Sequence, residues 1–183
     1  MKRTIRILSP LLLLLVFAGC EGATDKIDSG GVILSISDFD GLPIRVSVSA
    51  SGEIVQVETL SVENVIKDPN GVGSSLMNVE LQSYEVVYTR ADSGSRLPPK
   101  MVAGIFGVAP AGGDLTLDNL PVMTAEQFST QPLLDLYPVN GGIDAETGDS
   151  VVALNLQLRF FGRTLSGDAV ISQPAHWTIE FVR

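Results

Sequence analysis

Residues 152–160 read VALNLQLRF, with Val152, Leu154, Leu156, Leu158 and Phe160 alternating against Asn155, Gln157 and Arg159. A strand turns successive side chains to opposite faces, so this period of two places one face on a core and the other in water. The pattern recurs outward along the chain. Ile44, Val46 and Val48 alternate with Arg45, Ser47 and Ser49, and Trp177, Ile179 and Phe181 alternate with Thr178 and Glu180, while Val32–Ile36 (VILSI) opens the set. One dry and one wet face is the habit of antiparallel sheets. Asp40-Gly41, Ser51-Gly52, Pro69-Asn-Gly71, Gly141-Gly142 and Ser166-Gly167 supply the turn residues between these runs.

Two hairpins are expected near the C-terminus. Leu156–Gly162 and Gly167–Ile171 flank Arg163-Thr-Leu-Ser166, and Ser172-Gln-Pro-Ala175 turns into the last strand, a three-strand meander. Residues 75–91 form the longest strand candidate, but Val79 and Leu81 lie on one parity and Tyr84, Val86 and Tyr88 on the other. A β-bulge near Gln82-Ser83, one extra residue in the strand, reconciles them. Arg90–Pro99 (RADSGSRLPP) reads as a hairpin connection stiffened by its two prolines, the alternative being a recognition loop. Leu133–Pro138 (LLDLYP) reads as a core strand, the alternative being an exposed docking patch.

One segment departs from the β pattern. Thr124-Ala-Glu-Gln127 matches a capping box with Thr124 as N-cap, Met123 and Phe128 stand where a hydrophobic staple places them, and Pro132 limits the helix to about two turns. The expected fold is all-β, an antiparallel two-sheet sandwich, immunoglobulin-like in the broad sense, with one short helix near 124–131. The immunoglobulin cysteine pair is absent, since Cys20 is the only cysteine.

The N-terminus carries a different message. Lys2, Arg3 and Arg6 precede an apolar run from Ile7 to Ala18, broken only by Ser9 and Pro10, and Ala18-Gly19 leads into Cys20. A positive start and a short apolar core make the layout of an export signal, too short for a helix that must span about 30 Å of hydrocarbon. Phe17-Ala18-Gly19-Cys20 resembles the lipobox of bacterial lipoproteins, with Phe17 in place of the usual leucine. The resemblance covers the first twenty residues. It implies cleavage before Cys20, diacylation of the Cys20 thiol, acylation of the new α-amine, and, with Glu21 next, sorting to the outer membrane of the cell envelope. Stable anchoring takes two or more acyl chains, which such a cysteine carries.

The expected organisation is therefore a signal peptide at 1–19, lipidated Cys20 and a flexible linker at 20–31, and a single β-sandwich domain at 32–183. Glu21–Gly31 (EGATDKIDSGG) has little apolar content beyond Ile27 and ends in paired glycines, as a leash does. The residues after position 19 hold 9 basic and 21 acidic side chains, a formal charge of −12. Such a surface is repelled by nucleic acid and by anionic headgroups, so the lipid must do the holding.

Catalytic signatures are scarce. His176, the only histidine, allows no multi-histidine metal centre, and no Gly-x-Ser-x-Gly elbow accompanies it. It is read as a surface histidine. Asp38-Phe-Asp40-Gly41 and the Gly141–Asp149 loop, with Asp144, Glu146 and Asp149, offer spaced oxygens for calcium without the rest of a calcium-loop pattern, and are read as solvated turns. Neither catalytic residues nor a cofactor are expected. The expected function is a non-enzymatic envelope lipoprotein that binds or scaffolds another envelope component, a protein or a glycan. A glycan-binding module using Tyr84, Tyr88, Tyr137 or Trp177 as a platform is the second reading, and a hydrolase built on His176 the third.

Overall fold

The computed structural model describes residues 31–41, 43–50 and 54–183. The signal-type segment, Cys20 and nearly all of the linker lie outside them. The described residues form nine strands: β1 (Val32–Asp40), β2 (Arg45–Ser47), β3 (Val55–Ile66), β4 (Val79–Arg90), β5 (Met101–Ala109), β6 (Gly113–Met123), β7 (Val151–Thr164), β8 (Ala169–Ile171) and β9 (Ala175–Val182). One sheet has the order β1-β3-β6. The other runs β2-β9-β7-β4-β5, with β8 also on β7. The two sheets pack face to face, so the chain is an all-β sandwich with short helical turns.

Alternation explains the packing. In β7 the even-numbered residues from Val152 to Phe160 are fully buried and their odd-numbered neighbours are not. Phe160, Phe181, Leu34, Leu60, Leu81 and Phe128 are the bulkiest of the buried side chains. Each contributes about 1.5–3 kcal/mol by leaving water. Polar pins cross between the sheets inside this core. Asn64 on β3, fully buried, donates through Nδ2 to the carbonyls of Met77 and Ala109, both at 3.0 Å. Tyr84 and Tyr88 on β4 donate their hydroxyls to Pro121 and Val122 of β6 at 2.8 and 2.7 Å. Burial pushes the Tyr84 phenol up to about 12 and raises Tyr88 as well, so both stay protonated donors.

The bulge in β4 falls where the parity slips. Register shifts between Leu81 and Ser83 against both β5 and β7, and Leu81 and Tyr84 are both buried on the same core. Gly162 answers it on β7: a Cβ there would lie 2.6 Å from the Glu80 carbonyl oxygen.

Four expectations need correction. The helix α1 (Ala125–Phe128) is one turn, although Gln127 Oε1 does accept from the Thr124 backbone N–H at 2.9 Å and Met123 and Phe128 are buried. Leu133–Leu136 is a 3₁₀ turn, not a strand: Pro132 and Pro138 bracket it, and Leu133 and Leu136, three apart, eclipse toward the core. Of the two hairpins only the first forms, β7 turning into β8, so the three-strand meander is absent. β8 and β9 lie end to end on one side of β7, pairing with residues 161–163 and 151–158. Between them Ser172 Oγ accepts from the Phe160 N–H at 2.9 Å and Gln173 N donates to the Leu34 carbonyl at 2.9 Å, so the arm bridges to β1 without turning back. Finally, β2 pairs with β9 in parallel. The chain enters it from β1 of the opposite sheet, and only Arg45–Ser47 reach the ladder, leaving Ile44 exposed.

Candidate functional site

The β4–β5 hairpin carries two contrasting surfaces, and the sequence-level candidates sort themselves around it. At its loop end, Arg90 closes β4 with a side chain only 4% exposed. Its Nε donates to Asp92 Oδ1 at 2.6 Å and its Nη2 to Asp144 Oδ2 at 2.7 Å. Asp144 is fully buried, so it is no solvated turn residue: Arg90 covers it. Asp144 also accepts from the Glu146 N–H and the Thr147 hydroxyl, at 3.3 and 3.0 Å. Asp92 accepts from the Gly94 and Ala153 N–H groups.

Burial alone would raise both aspartates. The hydrogen bonds and charge of Arg90, with the backbone donors, outweigh it and hold each carboxyl below its usual range. The Arg90 guanidinium is held above its own ordinary value: burial opposes its charge, but the two carboxylates win. Glu146 completes the clasp. The Ser95 hydroxyl donates to Oε1 at 2.6 Å, and the Ser95 and Arg96 N–H groups to Oε2 at 2.8 Å each. Those bonds bring it down to about 2.

The oxygens of Asp144 and Glu146 are thus already occupied, whereas Asp149 lies exposed at the end of the same turn. Asp38 and Asp40 stand on β1 opposite Ser61 and Thr59, and Asp40 Oδ1 accepts from the Gly41 N–H at 2.7 Å. Among the described residues no group of three His, Cys, Asp or Glu side chains could hold a metal ion. The Arg90–Pro99 segment is the hairpin connection expected of it, stitched to the 141–150 loop by this clasp.

The other surface is β5 itself, read as MVAGIFGVA without one charged residue. It is the outermost strand of its sheet, so one side of its backbone faces no neighbouring strand. Val102, Gly104, Phe106 and Val108 point out of the sandwich, with Phe106 79% and Val102 59% exposed. The row Gly104–Ser83–Phe161–Ile171 extends this apolar strip across the outer face. On the inner side, Ala103 and Ile105 open into a groove of about 510 Å³ shared with Leu117, Leu120 and Pro121 of β6. The groove closes toward the β5–β6 turn, where a Cβ on Gly107 would sit 2.5 Å from a Leu115 methyl.

Other edges are protected. β1 carries Asp38 and Asp40 and a register shift after Ile36, β6 carries Asp114 and Asp118, and β2 pairs over three residues. Short, charged or bulged edges are how sheet proteins avoid unwanted pairing. β5 alone among these edges lacks a charge, although it too carries a register shift, with Ile105 and Phe106 standing against the single Gln82 of β4.

The aromatic platform does not assemble. Tyr84 and Tyr88 are buried, and Tyr137 and Trp177 are half-buried, with Trp177 tilted at 55° against Phe39, ring centroids 5.8 Å apart. His176 is exposed on the outer face opposite Gln157, beside a shallow pocket lined by Thr89, Asn155 and Thr178, with no serine or carboxylate in its wall. Sequence reasoning passed over β5 because a run apolar on both parities shows no period. Its signal was compositional: nine uncharged apolar residues between Lys100 and Pro110.

Comparison with family models, with curated proteins and with solved structures returns no match for this chain. The function must therefore be argued from the site.

Proposed function

We propose that this protein is a non-catalytic binding or scaffolding β-sandwich, tethered to the bacterial cell envelope by a lipid on Cys20, which uses the β5 edge as its contact surface. The single observation that supports the binding role is the charge-free edge strand with Val102, Phe106 and Val108 exposed along it. An edge of this kind offers backbone donors and acceptors to an added strand, and the side chains on either side select what may pair. Exposed contiguous apolar surface on a soluble domain marks an interaction site. The lipobox-like segment supports the tether, and the acidic surface turns away nucleic acid.

Two experiments test the two halves. Intact-mass analysis of membrane-extracted protein should show a chain beginning at Cys20 with added acyl mass, lost in Cys20→Ala; an unmodified mass starting elsewhere would remove the tether. Crosslinking in intact cells should give adducts that Phe106→Lys abolishes. Adducts indifferent to that change would move the contact surface off β5.

A further inference from the structure

The chain enters the sandwich at one end, and that end has a surface of its own. Gly31 leads into β1 there: its carbonyl accepts from the Lys67 N–H at 3.0 Å, and a Cβ on it would lie 3.1 Å from Met77 Cε. Three connections meet around this entry, namely residues 67–78 between β3 and β4, the β5–β6 turn and the β7–β8 turn. We infer that this end is a membrane-contacting platform, which rests Val72, Leu76 and Leu165 in the interfacial layer of a zwitterionic bilayer. The inference depends on the proposed Cys20 tether, and adds to it an orientation and a class of lipid.

The three side chains are exposed, Val72 by 94%, Leu76 by 57% and Leu165 by 50%, on loops that are tied to one another. The Ser166 N–H donates to the Leu76 carbonyl at 3.0 Å, and the Leu165 N–H to the Asn78 carbonyl at 2.9 Å. Asn78 Oδ1 accepts from the Ala111 N–H at 2.9 Å, which joins the β5–β6 turn to the same base. Beside Val72, a Cβ on Gly73 would lie 2.9 Å from an Ile66 methyl and 3.7 Å from the Ala111 methyl, so that loop is seated on the other two elements. Apolar groups already held in place lose little freedom on entering a new environment.

Length selects the lipid as the occupant. Cys20 stands eleven positions before Gly31, a distance of at most about 40 Å for a fully extended chain. The fourteen residues of β7 run from the far end to this one, about 45 Å at the rise of a strand. An anchored chain of that length cannot set the sandwich down on its far end, whereas the entry end is always within reach of the headgroups. The β5 edge then runs up from the membrane, with Val108 nearer to it than Val102.

Charge is distributed to match. The connections of the entry end carry only Lys67, Asp68 and Asp168, and the Asp168 carboxylate accepts from the Ser166 hydroxyl at 3.0 Å. Exposed apolar residues occur at the far end too, Ile44, Val139 and Ile143 among them. There, however, residues 124–150 hold Glu126, Asp135, Asp144, Glu146 and Asp149 without one basic residue. Around the platform Glu63 stands opposite Asp114, and Glu80 opposite Arg163. Acids thus outnumber bases at its rim, which favours a zwitterionic surface over an anionic one.

Cys20 is the only cysteine and the lipid holds its thiol, so an introduced cysteine takes a fluorophore alone. Full-length, membrane-extracted protein carrying Val72→Cys, Leu165→Cys or, at the far end, Val139→Cys is labelled with an environment-sensitive dye and placed in phosphatidylcholine vesicles. Labels at positions 72 and 165 should shift to the blue, lose quenching by aqueous iodide and gain quenching by spin-labelled lipid, whereas the label at 139 stays open to iodide. Leu76→Asp should restore iodide quenching at 165, and circular dichroism checks that this variant folds. Replacing part of the phosphatidylcholine with phosphatidylglycerol should weaken the protection at 72. Labels at 72 and 165 as open to iodide as the one at 139, or protection that grows with phosphatidylglycerol, overturn the platform. Protection found only in native envelopes assigns this end to a protein and overturns it too. Intact mass of the same samples separates the two levels. Acylated, vesicle-bound protein with an open label at 72 sinks the platform alone, whereas protein without acyl mass sinks the tether and the platform with it.

Discussion

The two surfaces of the β4–β5 hairpin were built by opposite means. The Arg90 clasp concentrates charge in a buried place and gives nearly every polar atom a partner, whereas the β5 edge has no charge and leaves a row of backbone groups exposed. A buried ion pair adds little net stability over an apolar substitute, but it is costly to break, so it fixes one arrangement of the loops. A bare edge does the reverse: its unpaired side offers itself to an external strand. The difference teaches where to look for structure and where for function in this molecule. The charged cluster around Arg90 belongs to the scaffold, and the bland strand is the surface proposed for contact.

That contrast can be broken most easily at Arg90. Arg90→Ala strands Asp144 as a buried unpaired carboxylate and should cost about 3–5 kcal/mol in denaturant unfolding. The Arg90→Leu, Asp144→Leu double variant should lose clearly less, because neither charge is left alone. If Arg90→Ala costs nothing, the clasp is not what positions these loops.

Asn64→Ala tests the pins between the sheets. It leaves the Met77 and Ala109 carbonyls without their donor, an expected loss of about 1–3 kcal/mol. Tyr88→Phe removes one donor from Val122 and should cost about 1–2 kcal/mol by the same reasoning, readable as a lower thermal midpoint.

Acid offers a gentler probe of the clasp. Asp92, Asp144 and Glu146 have native-state pKa values below their ordinary ones, so the folded state binds fewer protons than the unfolded chain. Their stabilisation is complete above the ordinary carboxylate range and is lost as pH falls through the native values. For Glu146 the window runs from 4.5 down to about 2. Thermal midpoints should fall across that interval, and more shallowly in Glu146→Gln. Equal slopes would detach Glu146 from the acid response.

The smallest expected effect on stability comes from the edge. Val102→Lys with Val108→Lys should shift unfolding by no more than about 0.5 kcal/mol per site, as exposed substitutions do. A large loss there would mean that β5 belongs to the scaffold, and the contrast between the two surfaces would disappear.

Much of this was legible in the chain, for local reasons. The parity slip between Leu81 and Tyr84 marked the bulge because side chains in a strand can face only two ways. The Thr124 and Gln127 spacing marked the start of α1 because a capping box needs residues three apart. Alternation in β7 and β9 marked the core face and, with it, the all-β sandwich. Each of these features is a relation among residues within a few positions of one another.

What tertiary structure decided are relations across distance. Arg90 and Asp144 are 54 residues apart, and nothing near either one announces a buried pair. The arm of β8 and β9 follows β7 without turning because Ser172 and Gln173 find Phe160 and Leu34, contacts that exist only once both sheets are in place. β5 became an edge because the sheet order ends there, although a run of nine uncharged apolar residues reads equally well as a central strand. Sequence determines which face of a strand is dry through local alternation; which strand is left without a neighbour depends on how all the others have paired.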